Sequence, residues 1–72
     1  MKIEYSKKAD ALYVHFREVY VAKSKEIEEG VVIDFDEHGH VVGIEILDVS
    51  ERLQPQDLAN ISFESIPIEG RL

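Results

Sequence analysis

The chain has no cysteine, no long apolar run and no glycine-rich phosphate loop, and each absence excludes a class of protein. Its 72 residues include no Cys and only four Gly. Without cysteine it can form neither a disulfide framework nor a thiolate zinc site. No apolar run reaches the roughly 18 residues that cross a bilayer, and the N-terminal segment lacks the apolar core of a secretory signal. These absences predict a cytoplasmic protein without a membrane partner.

Positive charge is also scarce. Eight Lys and Arg face 15 Asp and Glu, which gives a formal net charge of −7. This balance argues against nucleic acid as a partner, and it fits either a basic protein partner or a soluble surface. The length predicts one small domain spanning residues 1–72. Because a chain of this size buries only about 60% of its unfolded surface, oligomerisation is a common route to stability.

The segment around which the chain is organised is a β-hairpin over residues 31–47. Two runs rich in Val, Ile and Phe flank Asp36-Glu37-His38-Gly39, a sequence typical of a four-residue turn. This loop length predicts that Phe35 lies opposite His40 and Ile33 opposite Val42. One face then carries Val31, Ile33, Phe35, Val42, Ile44 and Ile46. The other face carries Val32, Asp34, Val41, Gly43, Glu45 and Leu47.

The rest of the chain predicts three further strands, over residues 2–5, 11–16 and 24–29. A short helix is expected within residues 51–60, starting at Ser50 or restarting at Pro55, followed by a weak strand over residues 61–68. The predicted fold class is α+β, an antiparallel meander sheet of four to six strands with one short C-terminal helix packed on it. The expected core comprises Leu12, Val14, Phe16, Val31, Ile33, Phe35, Val42, Ile44, Ile46 and Leu58.

Three groups of polar residues are candidates for chemistry. His38 and His40, beside the acidic loop, form either a metal site or a pair of surface histidines. Asp34 and Glu45 share a face, but the predicted register holds them more than about 10 Å apart, which excludes an acid–base pair within the hairpin. Tyr13 and His15 share a strand face and form either a shallow ligand site or a polar patch.

The second face of the hairpin is neither fully polar nor fully apolar. Its Val32, Val41 and Leu47 are either scattered surface residues or a surface covered by a partner chain or by the C-terminal segment. The expected partner or ligand surface therefore comprises Tyr13, His15, Val32, Asp34, Val41 and Glu45.

Three motifs resemble a known family. They are Ile3-x-Tyr5, the run Ala9-Asp10-Ala11-Leu12-Tyr13-Val14, and the long block from Val32 to Ser50. Together they are similar to the small prokaryotic domain of unknown function numbered twenty-two eighty-three, over about the first fifty residues. The resemblance implies a compact sheet-plus-helix unit without an established catalytic activity. Because some relatives accompany toxin-like partners, it also implies an antitoxin-type binding role, and it carries over no catalytic or ligand residue.

Two functions follow as hypotheses. The first is a non-enzymatic, homodimeric protein-binding module that uses the second face or an edge strand for assembly. The alternative is a small-molecule or metal-binding protein with its site at Tyr13 and His15 or in the acidic hairpin loop. An enzyme ranks third, because so short a chain has little room for both a core and an enclosed site. No cofactor is expected.

Overall fold

A computed structural model describes residues 1–64 and shows a five-stranded sheet with two short helical segments. The strands are β1 (Lys2–Ser6), β2 (Ala11–His15), β3 (Lys23–Glu28), β4 (Val31–Phe35) and β5 (Val41–Leu47). A 3₁₀ helix spans Val49–Glu51, and α1 spans Pro55–Ala59. All neighbouring strands are antiparallel, which confirms the predicted α+β class with one short helix near the C-terminal end.

The strand order is β1-β2-β5-β4-β3. The hairpin of β1 and β2 is joined to the meander of β3, β4 and β5 because β5 pairs with both β2 and β4. The last strand in sequence is therefore the central strand of the sheet. Side chains of the first hairpin consequently lie beside side chains that are some thirty residues later in the chain, such as Tyr13 opposite Glu45.

The predicted register of the central hairpin was wrong. Ile33 lies opposite Ile44 rather than Val42, and Val31 lies opposite Ile46. The pairing shifts between Asp34 and Phe35, where Phe35 pairs with Val41. This irregularity adds a residue to β5 beside the loop, as a β-bulge does. The shift from the prediction is two residues over most of β4, so each residue there keeps the face that the sequence pattern assigned to it.

The loop at the bulge is built on Asp36. The amide of Asp36 donates to the carbonyl of His40 at 2.9 Å, and the amide of Gly39 donates to the carbonyl of Asp36 at 3.1 Å. Gly39 has φ 81°, a conformation that glycine adopts at little cost. The predicted turn at these residues is thus present, with His40 as its closing residue.

The sheet has two contrasting faces, which follow from the pairing and from the alternation of side chains along each strand. We call the first the apolar face; its members are Ile3, Tyr5, Leu12, Val14, Val31, Ile33, Ile44 and Ile46. We call the second the mixed face; it carries Lys2, Glu4, Tyr13, His15, Ser24, Glu26, Val32, Asp34, Gly43 and Glu45.

Burial differs from the predicted core. Among the described residues, the buried apolar side chains are Ala11, Val42 and Val49, and only Val42 of these was expected. Phe16 is exposed, and the other eight predicted core residues are half-buried. Most of them lie on the apolar face of the sheet. The prediction of a buried core assumed that a second layer covers this face, and a single sheet does not supply such a layer.

The C-terminal part of the described chain confirms one of the two helix alternatives. The helix restarts at Pro55 and ends at Asn60, and the amide of Gln54 donates to Asp57 Oδ2 at 2.8 Å. Ser50 is not its N-cap, because Ser50 donates to Asp10 instead. Residues 61–64 have no regular structure, and the rest of the predicted strand lies outside the described residues. Neither helical segment within residues 1–64 has the length and apolar character that crossing a membrane requires.

Candidate functional site

The mixed face arranges its polar side chains in two rows that run across the strands. The first row runs Ser24, Asp34, Gly43, His15, Lys2. The second runs Glu26, Val32, Glu45, Tyr13, Glu4. Neighbours within a row are directly opposed on adjacent strands, a spacing at which side chains contact one another. Five of the six residues that the sequence nominated lie together in these rows.

Val41 is the exception. It pairs with Phe35 at the bulge, is 44% exposed, and stands in neither row. The prediction placed it on the mixed face because it assumed regular alternation through β5. The bulge interrupts that alternation, so the residues before and after it no longer share the expected face.

Asp34 and Glu45 form a carboxylate pair at the centre of the mixed face, contrary to the prediction that the register separates them. Asp34 lies opposite Gly43 and Glu45 opposite Val32, so the two carboxylates are diagonal neighbours on adjacent strands. The carboxyl group of Asp34 is only 6% exposed, and its Oδ1 accepts a 2.6 Å hydrogen bond from Ser24 Oγ.

Contact between the two carboxylates raises the pKa of Glu45. A hydrogen bond with Asp34, together with burial and the negative charge of Asp34, raises the pKa of Glu45 from 4.5 to about 7. The physical cause is that two carboxylates in contact cannot both ionise without repulsion, so one of them keeps its proton to a higher pH. Chemically, this pair can hold one proton or one cation between its oxygens near neutral pH.

Tyr13 and His15 lie beside the carboxylate pair. Their rings are near-parallel, with centroids 6.1 Å apart and an interplanar angle of 20°. His15 Nε2 lies 3.0 Å from Glu4 Oε1, which ties the imidazole to β1. Both side chains are half-buried. This arrangement places a polar contact and ring surface side by side, and both alternatives that the sequence left open stay predictions.

Gly43 leaves the middle of the first row without a side chain. A Cβ atom there would lie 3.0 Å from the carbonyl oxygen of Val14 and 3.7 Å from Asp34 Oδ2. Gly43 therefore marks a close approach of the β2 backbone, and the bulge lies next to it, where Phe35 pairs with Val41. As a result, Asp34 and His15 flank a low point in the face instead of a ridge.

The acidic loop contains a second cluster, centred on Asp36. Oδ1 of Asp36 accepts hydrogen bonds from the amides of His38 and His40, both at 2.9 Å, and its Oδ2 lies 2.8 Å from Arg17. The amide of His40 is the main cause that lowers the pKa of Asp36, assisted by the amide of His38 and by the charges of His40 and Arg17 and opposed by burial. The carboxylate is thus already engaged by three partners, His38, His40 and Arg17.

The loop histidines do not converge on a common point. The ring centroids of His38 and His40 are 6.4 Å apart, and the rings are tilted at 42°. Within residues 1–64, no group of three or more His, Asp or Glu side chains has the arrangement to hold a metal ion. The geometry therefore gives the loop a structural role, in which Asp36 organises the turn and Arg17 attaches the chain after β2 to it.

Several side-chain contacts could not be predicted from the sequence. Ser24, Glu4 and Arg17 each contact a nominated residue from a distant part of the chain. Asp10, with φ 50°, accepts hydrogen bonds from the amide of Ser50 at 3.0 Å and from its hydroxyl at 2.7 Å. The signal that could have revealed this last pair is that Asp10 and Ser50 both lie in the blocks that carry the family resemblance.

Comparison with known proteins gives a family but no activity. The sequence profile of a family described as "Protein of unknown function (DUF2283)" matches residues 2–50. An uncharacterised protein of Methanocaldococcus jannaschii is 37% identical over 70 residues, which cover 92% of this chain and 60% of that protein. The chain thus spans less than two thirds of this relative. No solved structure matches the sequence.

Proposed function

Because this chain belongs to the DUF2283 family, whose function is unknown, we propose its role from the mixed face: it is a non-enzymatic binding module that presents this face to a basic segment of a protein partner. The observation that carries the proposal is the carboxylate pair of Asp34 and Glu45 at the centre of the face. An antitoxin-type role is one form of this function, with a basic toxin as the partner.

The charge of the mixed face supports a basic partner. The two rows contain the carboxylates of Glu4, Glu26, Asp34 and Glu45, against Lys2 and the imidazole of His15. Lys2 already lies within 4 Å of Glu4 and Glu18, and His15 lies beside Glu4. The excess negative charge of the rows therefore lies at Glu26, Asp34 and Glu45, where a lysine or arginine of a partner would find acceptors.

The shared proton supports the same conclusion. The hydrogen bond with Asp34, burial and the charge of Asp34 raise the pKa of Glu45 to about 7, so the pair favours a shared positive charge near neutral pH. A guanidinium or ammonium group placed there would displace the proton and form charge-assisted hydrogen bonds with both carboxylates. Tyr13, directly opposite Glu45, offers a ring face on which the stem of an arginine can pack.

The shallow shape of the mixed face favours a macromolecular partner over a small ligand. The two rows follow a sheet surface whose low point, at Gly43, is filled by neighbouring backbone and by Asp34 to within 4 Å. Small ligands usually bind in concave sites that bury most of their surface, whereas protein interfaces are commonly flat. A shallow acidic surface with an aromatic ring beside it suits a protruding basic side chain.

Titration calorimetry with an oligolysine peptide tests the proposal. We compare the wild type with Glu45→Lys on the mixed face and with Glu51→Lys in the 3₁₀ helix, two variants with the same net charge. We expect Glu45→Lys to weaken binding at least several-fold more than Glu51→Lys does, and wild-type binding to weaken as salt is added. Equal losses in the two variants would show that only the overall charge attracts the peptide.

A second candidate function rests on the ring stack of Tyr13 and His15. Near-parallel rings beside a residue without a side chain can accept a flat aromatic ligand by stacking. A thermal-shift measurement with tryptamine, a cationic aromatic amine, tests this function. Stabilisation at high ligand concentration that disappears in Tyr13→Ala supports it, and no shift in the wild type removes it.

A further inference from the structure

The apolar face has no second layer within residues 1–64. Its central side chains, from Leu12 and Val14 to Ile33, Ile44 and Ile46, are half-buried, and Ile3 and Tyr5 at its β1 edge are 47% and 42% exposed. The strands contact one another far more than α1 contacts any of them, and α1 has no buried residue. Since a sheet is stable when its apolar side is covered, this face calls for a covering layer.

The short helix covers only one corner of this face. A groove of about 560 Å³ separates the end of β1 from α1, with Tyr5 on one side and Leu53 and Leu58 on the other. Both leucines are half-buried. The helix therefore borders the sheet near Tyr5, and within the described residues neither helical segment packs over the centre of the apolar face on β2, β5 and β4.

The charged residues around the apolar face favour one kind of partner over another. Among the acidic residues within residues 1–64, only Glu28 pairs with a member of the apolar face, and it lies at the end of β3, 3.8 Å from Arg52. Lys23 and Lys25 lie opposite Phe35 and Ile33 at the same border. A basic partner would meet these lysines and find few carboxylates. A second copy of the chain can approach here without bringing its many carboxylates together.

The sheet edges are less suitable for self-association. β3 is exposed along its whole length, carries Lys23, Lys25 and Glu26, and contains a register shift between Glu26 and Glu28. Charged side chains and bulges on an edge strand are features that oppose edge-to-edge pairing. Contact between two copies is thus favoured through the face rather than through this edge.

We propose that the apolar face packs against the same face of a second copy, so that the working molecule is a two-layer homodimer with both mixed faces turned outward. Because β5 is the central strand, a two-fold axis near it brings Ile44 and Ile46 of the two copies together. This proposal does not depend on the function proposed for the mixed face. It moves the dimer contact from the mixed face or an edge strand, where the sequence pattern put it, to the apolar face.

The test is the mass in solution, measured by light scattering and sedimentation equilibrium. Two neighbouring residues of β4 supply a matched pair: Ile33 on the apolar face and Val32 on the mixed face, both half-buried. We expect the wild type to have twice the 8.2 kDa chain mass, Val32→Lys to remain dimeric, and Ile33→Lys to shift the equilibrium toward monomer by at least tenfold in dissociation constant. A wild type that is monomeric at high micromolar concentration overturns the proposal.

A third variant distinguishes loss of the dimer from unfolding of the chain. Ile3 lies at the β1 edge of the apolar face and is 47% exposed, so a lysine there is tolerated by a folded monomer. We expect Ile3→Lys to keep the wild-type circular dichroism spectrum and to weaken the dimer. Two results would show that the apolar face is not the contact. One is that Ile3→Lys and Ile33→Lys dimerise as strongly as wild type, and the other is that Val32→Lys weakens the dimer as much as they do.

Discussion

Glu45 has an unusual environment for a strand residue that keeps part of its surface in contact with water. Tyr13 and Val32 lie directly opposite it on the two neighbouring strands, Asp34 is diagonal to it, and Glu4 and Glu26 end its row. The nearest titratable partner is thus another carboxylate. Folding brings Glu45 against Asp34 and thereby disfavours the ionised form of Glu45. The stability of the protein therefore depends on pH.

The sign of this pH dependence follows from the raised pKa. The folded protein keeps the Glu45 proton up to about pH 7, whereas the unfolded chain releases it near 4.5. The carboxylate pair therefore contributes most to stability below about pH 4.5, and this contribution is lost as the pH rises toward 7. We expect Glu45→Gln, which remains neutral, to be about 1 kcal/mol more stable than wild type above pH 7, a value reduced for solvent screening.

Urea unfolding at a series of pH values checks this expectation. The stability difference between Glu45→Gln and wild type should shrink as the pH falls through the window from 7 to 4.5. Glu51→Gln is the control, because it removes the same charge from an exposed position outside the mixed face. A difference that stays constant over this pH range would contradict a shared proton at the pair.

Gly43 illustrates how little space the centre of the sheet leaves. An added Cβ would lie 3.0 Å from the Val14 carbonyl oxygen, which is a backbone atom of a paired strand and cannot rotate away. We expect Gly43→Ala to destabilise the fold by about 1–3 kcal/mol, despite the gain from removing a flexible glycine. Denaturant unfolding measures this, with the exposed Val41→Ala as a control in the same strand, and a neutral Gly43→Ala would show that the strands can separate locally.

At the scale of the elements, the turn between β1 and β2 is tied to the 3₁₀ helix by Asp10. Its side chain accepts from the amide and the hydroxyl of Ser50, and its carbonyl accepts from the amide of Val49 at 3.0 Å. These contacts hold Val49, which is fully buried, against the rest of the fold. Asp10 and Ser50 lie within the matched residues 2–50, and their contacts give these family positions a structural role.

A double-mutant cycle tests this connection. We expect Asp10→Ala to cost about 1–2 kcal/mol, because it removes two hydrogen bonds and leaves an alanine at positive φ, and Ser50→Ala to cost about 1 kcal/mol. The double variant should lose less than the sum of the two, with a coupling energy of about 1 kcal/mol. Strict additivity would mean that the two side chains do not interact in solution.

For the whole molecule, the dimer that we propose through the apolar face would link stability to protein concentration. Because the second copy binds only the folded chain, we expect Tm to rise with concentration for wild type and to be nearly independent of concentration for Ile33→Lys. Calorimetry over a wide concentration range measures this. A wild-type Tm that does not change with concentration would contradict the dimer.

Added salt is expected to affect the two proposed surfaces of the molecule in opposite ways. The net charge of −7 opposes the approach of two copies, so added salt should strengthen dimerisation while it weakens oligolysine binding to the mixed face. Sedimentation and calorimetry at low and moderate salt measure the two trends. Opposite trends mean that the surfaces act independently, whereas parallel trends would contradict one of the two assignments.

The strand positions and a short helix within residues 51–60 could be predicted from the sequence because they depend on local chemistry, although the sequence left its start open between Ser50 and Pro55. Alternation marks strands, Asp36 and Gly39 mark a turn, and Pro55 suits the first turn of a helix. Of the candidate surface, Tyr13, His15, Val32, Asp34 and Glu45 lie on one face of the sheet, and their role as a partner or ligand surface stays a prediction. Val41 was not placed correctly, because a bulge leaves no clear mark in the composition of a strand.

The amino-acid sequence by itself determined which residues are extended and, away from the bulge at Val41, which face of the sheet each occupies, since side chains alternate with a period of two along a regular strand. It did not determine register, because a shift of two residues leaves that pattern unchanged. Only the tertiary structure decided that Asp34 lies diagonal to Glu45, and that β5 inserts beside β2 so that Tyr13 and His15 join them. Distances between carboxylates depend on pairing across strands, and pairing is set by the whole sheet.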